Sequence, residues 1–188
     1  MRPNKRDELV RKALQVFYRD GFHATGMDKL VTETGVSKTS MYKHFRTKEE
    51  LIVAALQLRD ESFRAWFLDR IQELSDTPEG QLMAGFDALG EWFSEDGYRG
   101  CMFIKAGAEY QEKSHPIHQQ AAGHKQALLD HFIRLATEAG AKDPEALGSQ
   151  ILLLKEGAIV SSVLLNSCKP AQDAKEAARV LLDHALAK

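Results

Sequence analysis

The chain has 188 residues, 44% of them apolar, which is enough to build a core in one mid-sized domain or two small ones and to fold alone or as an oligomer. Its two cysteines, Cys101 and Cys168, match neither a disulfide framework nor a metal-ligand spacing, and the amino terminus MRPNKRDELV is followed by no apolar leader. The expectation is a cytoplasmic protein with reduced thiols that does not enter a membrane. The net charge of -2 hides an asymmetry: residues 1–48 carry eleven Lys or Arg against five acids, a balance of +6, and the remainder has a balance of -8. A polyanion is the natural partner of the first part only.

In chain order, Leu9, Val10, Ala13, Leu14 and Phe17 follow the i, i+3, i+4, i+7 spacing of an amphipathic helix, which Asp20-Gly21 stops. Thr25 and Asp28 stand at capping-box spacing and predict a second helix, with Met27, Leu30 and Val31 inward and a left-handed end at Gly35. Ser37 caps a third helix, in which Met41 and Phe45 face inward with Val36 while Lys38, Thr39, Tyr42 and Lys43 stay outside. Such a face is either plainly solvated or a reader of phosphates and base edges in a major groove. A glycine turn between two short helices, the basic balance and an exposed phenol together favour the reader.

The run from Thr25 to Leu51, above all GVSKTSMYKHFRTKEEL from Gly35 to Leu51, resembles the DNA-binding segment of the TetR family of bacterial transcriptional regulators. The Gly-Val-Ser turn, the Tyr-x-x-Phe ending and the following Lys-Glu-x-Leu occur in the family's order. The resemblance implies that Thr25 and Tyr42 bond backbone phosphates and that Lys48 meets another phosphate at the start of the fourth helix. It also implies that Lys38, Thr39, Ser40, Lys43 and His44 lie closest to base edges. Two alternatives stay open: His44 caps the end of its own helix, and Lys38 and Lys43 touch phosphate alone. Arg2, Lys5 and Arg6 either follow the minor groove or remain disordered.

Thr47 and Glu50 form a second capping-box signature and open a long helix with the stripe Leu51, Ile52, Ala55, Leu56, Phe63, Phe67 and Ile71. In the family this helix carries ligand-induced motion; packing alone is the other reading. Helices then follow over Pro78–Ser94, Cys101–Lys113, Pro116–Gly140, Pro144–Asn166 and Ala171–Ala187, with Gly97 and Gly100 breaking the first pair. No repeat, strand pattern or flexible linker interrupts them. The predicted fold is all-α with about nine helices. A three-helix helix-turn-helix DNA-binding domain occupies residues 1–48, and a helical effector-binding and dimerisation domain occupies residues 49–188.

The last two helices are apolar in different ways. The first is apolar nearly all round, and the second lines up small residues that permit close approach. A partner surface explains both, through Ile151, Leu154, Ala158, Leu165, Ala174, Ala178, Leu181 and Ala185; burial in the chain's own core is the alternative. In the family these two helices pair with their symmetry mates in a four-helix bundle. The two recognition helices of such a homodimer lie about one DNA turn apart, so the partner is a near-palindromic double-stranded operator.

The small-molecule effector is expected among Trp66, Phe67, Trp92, Phe93, Met102, Phe103 and Phe132, because aromatic and flexible apolar side chains line pockets, although each also reads as plain core. Glu109, Lys155 and Glu156 either furnish such a pocket, pair with each other or face solvent. His115, His118, His124 and His131 place no compact set of three on one helix face, so no metal is assigned. Cys101 reads as a small buried hydrophobe rather than a redox sensor. No phosphate loop, nucleophile elbow or His-Glu-x-x-His occurs, so neither enzymatic activity nor a cofactor is expected. The function expected is a ligand-responsive regulator, most simply a repressor; the alternative is a helical small-molecule-binding protein without operator recognition.

Overall fold

A computed structural model describes the chain from residue 4 to residue 187. The described residues form α1 (Lys5–Asp20), α2 (Met27–Thr34), α3 (Lys38–His44), α4 (Lys48–Leu74), α5 (Pro78–Phe93), α6 (Met102–Glu109), α7 (Pro116–Glu138), α8 (Pro144–Leu165) and α9 (Lys169–Leu186), with no strand among them.

Helix ends follow local chemistry. Ser37, Thr77 and Asp143 cap α3, α5 and α8 by accepting the N–H of Ser40, Gly80 and Ala146, and Pro78 and Pro144 fill first-turn positions that need no donor. Gly21 and Gly35 end α1 and α2 at positive φ, 83° and 69°. At α4 the Thr47 hydroxyl accepts the Glu50 N–H at 3.2 Å, and the Glu50 carboxylate returns to the N–H of Arg46 at 2.7 Å. The box expected at Thr25 and Asp28 does not form. Gly26 occupies the cap position of α2 without a side-chain bond, because the Thr25 hydroxyl donates backwards to the Gly21 carbonyl at 2.7 Å.

One expected helix is shorter than its sequence pattern. α6 stops at Glu109 rather than reaching Lys113, and the Tyr110 carbonyl that follows bonds His118 Nδ1 at 2.7 Å in place of a helical partner.

The chain divides into two compact units. One holds the residues up to Phe63 together with Met102–His124, so the unit containing α1 to α3 also includes much of α4, all of α6 and the start of α7. Its core joins Leu9, Ala13, Phe17, Phe22, Leu30, Met41, Leu51, Ile52, Ala55 and Leu56, each at most 1% exposed. Further along, buried His124 stacks on Phe103 with ring centroids 3.7 Å apart, and its Nδ1 lies 2.6 Å from Asp60 Oδ1. α4 and α7 thus carry a polar pair inside this unit.

The other unit comprises Arg64–Cys101 and the chain from Lys125 onward. Within it α9 packs on α8 and α5, and α5 packs on α8. Gly148 lets α8 approach α7 closely, since a methyl group there would lie 2.8 Å from the backbone nitrogen of Ile133. Among the described residues α8 is the one helix long and apolar enough, by length and composition, to cross a membrane. In the fold it buries Ile151, Ala158 and Ile159 together with Lys155, whose Nζ meets Glu156 Oε1 at 3.1 Å.

Candidate nucleic-acid interface

The basic module presents α3 through a narrow set of constraints. Met41 and Phe45, 1% and 6% exposed, anchor one side of the helix in the core. With these two fixed, helical geometry turns Lys38, Thr39, Tyr42 and Lys43 outward. All four are exposed, as is His44, while Ser40 is half-buried beneath the Ser37 cap. Tyr42 keeps 47% of its surface open. The outer face of α3 therefore stands as the spacing predicts.

α2 is tied to α1 by ionic contacts at both ends. Lys12 Nζ donates to the Thr34 carbonyl at 3.0 Å, and Arg19 Nη2 lies 3.1 Å from Glu33 Oε2. Asp20 accepts from Arg19 and Lys29, and these two cations hold its carboxyl well below the usual carboxylate range. On the outer side Lys38 Nζ lies 3.2 Å from Asp28 Oδ1, a pairing that a phosphate would have to displace. Exposed pairs of this kind contribute little to stability, about 0.2–1 kcal/mol, so the competition is easily won.

Two residues expected at phosphates have hydrogen-bond partners within the chain. Thr25 is fully buried and its hydroxyl donates to the Gly21 carbonyl at 2.7 Å. Lys48 is half-buried and its Nζ donates to the carbonyls of Phe22 at 3.1 Å and Thr25 at 3.3 Å, holding the link between α1 and α2. Of the basic residues ahead of α1, Arg2 lies outside the described residues. Lys5 and Arg6 begin the helix, and the Arg6 guanidinium sits 5.0 Å over the Phe45 ring.

The residues expected to line the effector site fall in both units. Met102 and Phe103 belong to the unit that carries α3, whereas Trp66, Phe67, Trp92, Phe93 and Phe132 belong to the other. Within that other unit Trp92 and Phe93 surround Tyr98, with centroids 4.9 and 5.1 Å away. Phe67 and Phe132 close on Gly85, where a methyl group would lie 3.6 and 4.0 Å from their rings. Near Phe67 is a charged set: Lys155, 2% exposed, lies 5.6 Å over that ring, and Glu156 bridges Lys155 to Lys125. Burial pushes the Lys155 ammonium below its ordinary pKa, while Glu156 resists the upward push of burial because two ammonium groups face it. Glu109 takes part in no such set; it bonds the α1–α2 link.

The residues expected at a dimer face differ in exposure. Ile151, Ala158, Ala174 and Ala178 are at most 8% exposed within the single chain. Leu154, Leu181 and Ala185 are half-buried, and Leu165 alone of the eight is open, at 70%. The open apolar surface lies one step round the helix: Leu153, Val160 and Leu164 fall on one stripe of α8, with Val163 and Leu165 beside it and Val180 on α9. The i, i+7, i+11 spacing of 153, 160 and 164 was the available signal.

Among the described residues no group of three His, Cys, Asp or Glu side chains is placed to hold a metal. The histidines are engaged separately, His115 with the Ile117 N–H, His118 with the Tyr110 carbonyl and His124 with Asp60.

A basic three-helix module with a buried rear face and an open polar reading helix defines a helix-turn-helix protein that binds DNA. Residues 9–55 match the family model of bacterial regulatory proteins of the tetR family, and residues 78–178 match the tetracyclin repressor-like C-terminal domain. The chain belongs to the TetR family and is a DNA-binding transcriptional regulator. It is 27% identical over 162 residues to the HTH-type transcriptional regulator YjdC of Escherichia coli strain K12, covering 86% of this chain and 84% of that one. It is 33% identical over 100 residues to the HTH-type transcriptional activator FasR of Mycolicibacterium smegmatis, covering 52% and 45%. The crystal structure of SCO4454, a TetR-family transcriptional regulator from Streptomyces coelicolor, superposes with a TM-score of 0.89 at 29% identity, covering 96% and 95% of the two chains.

Proposed function

We propose that the protein is a ligand-responsive repressor that binds a near-palindromic operator as a homodimer and is released by a small-molecule effector. The observation that carries this reading is the outer face of α3, where Lys38, Thr39, Tyr42, Lys43 and His44 are all exposed on a module of charge +6. Tyr42 and the lysines supply phosphate donors, and Thr39, Ser40 and His44 supply polar groups for base edges. Thr25 and Lys48 take a holding role instead of a phosphate contact. DNA binding is assigned to residues 1–48 and effector binding and dimerisation to residues 49–188. The site of action is the cytoplasm, with no membrane partner, no cofactor and no catalysis.

Dimerisation is assigned to the open stripe of Leu153, Val160, Leu164 and Leu165 with Val180. Six large apolar side chains of α8 and α9 each retain at least 42% of their exposure, which is the kind of contiguous patch that marks a protein interface. The effector is assigned to the second unit, where Phe67 and Phe132 offer apolar walls and Lys155, Glu156 and Lys125 a polar side. Its action requires differential binding: it must favour a dimer whose two copies of α3 are wrongly spaced for one face of the duplex.

Selection of bound duplexes from a random-sequence library tests the central reading. Enrichment of a two-fold symmetric sequence with half-sites about one helical turn apart supports it. Recovery of unenriched DNA overturns it. Placing the enriched sequence across a promoter then decides the sign, since repression needs only occupancy whereas an activator, as FasR is named, raises expression.

A further inference from the structure

The link from Gly21 to Gly26, which sets the direction in which α2 and then α3 leave α1, has its peptide groups bound by side chains from the link itself, from the start of α4 and from α6. The carbonyl of Gly21 accepts from Thr25, and those of Phe22 and Thr25 accept from Lys48. Two of the link's N–H donors are taken by one residue of α6. Glu109 Oε1 accepts the N–H of Phe22 at 3.1 Å, and its Oε2 accepts the N–H of His23 at 2.6 Å. The same Oε2 lies 2.9 Å from His23 Nδ1, whose ring stacks on Tyr110 with centroids 4.6 Å apart.

Two further details show that the contact is built. Gly21 has φ 83°, and a methyl group on it would sit 3.1 Å from Glu109 Oε1, so glycine there serves both the turn and the approach of the carboxylate. One turn earlier on α6, Lys105 Nζ donates to the Tyr18 carbonyl at 3.3 Å. A cation thus meets the carboxyl end of α1, and an anion meets the amides that follow it, the signs that the backbone dipoles favour. Burial alone would raise the pKa of Glu109; the N–H groups of His23 and Phe22, with the His23 ring, reverse this and bring it below its ordinary value.

Resting on the regulator reading above, we propose that Glu109 is a positioning residue for operator recognition, acting through the amides of Phe22 and His23 to fix the placement of α3. Glu109 touches no DNA in this scheme. Its loss leaves the cationic groups of α3 able to find phosphates while the alignment of that helix with base edges becomes loose. Sequence preference therefore falls and non-specific binding does not. A group that merely adds stability would lower the melting temperature and leave the preference of the folded protein intact.

The test compares wild type, Glu109→Gln and Glu109→Ala on two duplexes: the sequence enriched by the wild type from a random library, and unselected random DNA. Glu109→Gln keeps the size and one acceptor oxygen, so it separates positioning from failure to fold. In Glu109→Ala the preference for the enriched duplex falls about tenfold or more, the equivalent of one charge-assisted bond, with Glu109→Gln between it and wild type. The salt slope on random DNA is unchanged, and amide exchange at Phe22 and His23 accelerates in the free protein. An unchanged preference in both variants overturns the inference and leaves the regulator reading standing. A wild type that enriches no sequence overturns the regulator reading, and this inference with it.

Discussion

Replacing Leu164 by Asp should separate the dimer from the fold. Leu164 is 77% exposed in the single chain, so its removal leaves no cavity and the monomer should keep its helical content. If the open stripe of α8 is the dimer face, each Leu164 is buried on association, and burying one such side chain is worth about 2 kcal/mol. A two-fold interface contains the residue twice, so losing both copies costs about 4 kcal/mol, roughly a thousandfold in the dimer dissociation constant. The buried carboxylate adds to this. Sedimentation equilibrium over a range of concentrations reads the change directly, and operator affinity should collapse with it because one half-site alone is held. A variant that unfolds would show that Leu164 supports the monomer. A folded variant with an unchanged dimer constant would place the interface elsewhere and refute the argument from exposure.

Five other substitutions have expected outcomes. Tyr42→Phe should weaken binding to all duplexes by about 1 kcal/mol for one lost phosphate bond, and Lys43→Ala should lower the salt slope by about one unit; an altered base preference for the first, or an unchanged slope for the second, would misplace them. Gly148→Ala should destabilise the protein by about 1–3 kcal/mol despite its better helix propensity, because the new methyl group meets the Ile133 backbone; Gly123→Ala, with nothing within 4 Å, should instead stabilise by about 0.5–1 kcal/mol in urea melts. His131 is held down to a pKa of about 4, by burial first and Arg134 second. Its neutral form is therefore favoured by folding, and the unfolded chain takes up the proton first as pH falls. Stability should decline from about pH 6.5 towards 4 by on the order of 1–3 kcal/mol, and urea melts of His131→Gln should lack that part of the decline.

The reading face of α3 was legible because it is local. Ser37 as cap, Met41 and Phe45 as anchors and the 3.6-residue period leave Lys38, Thr39, Tyr42 and Lys43 only one side to occupy. The long stripe of α4 from Leu51 to Ile71 was legible for the same reason, and every one of its seven members is buried. Periodicity failed on α8, where apolar residues surround the helix and no polar stripe marks the outside. Hence Ile151 and Ala158, both buried within the single chain, were read as a partner surface, while the exposed Leu153 and Leu164 were passed over. Thr25 was misread because a hydroxyl at cap spacing can bond backwards as well as forwards, and the fold chose Gly21.

Local spacing by itself determined the nine helices of the described residues, the caps of α3 and α4 and the polar face of α3, since each depends on residues within a turn or two of one another. Only the tertiary structure decided which apolar faces are spent in the core, that the aromatic residues divide between two units, and that Glu109 bonds amides 86 and 87 residues away. Those contacts join groups far apart in sequence, and an acidic residue in an apolar segment carries no mark of the donor it will meet.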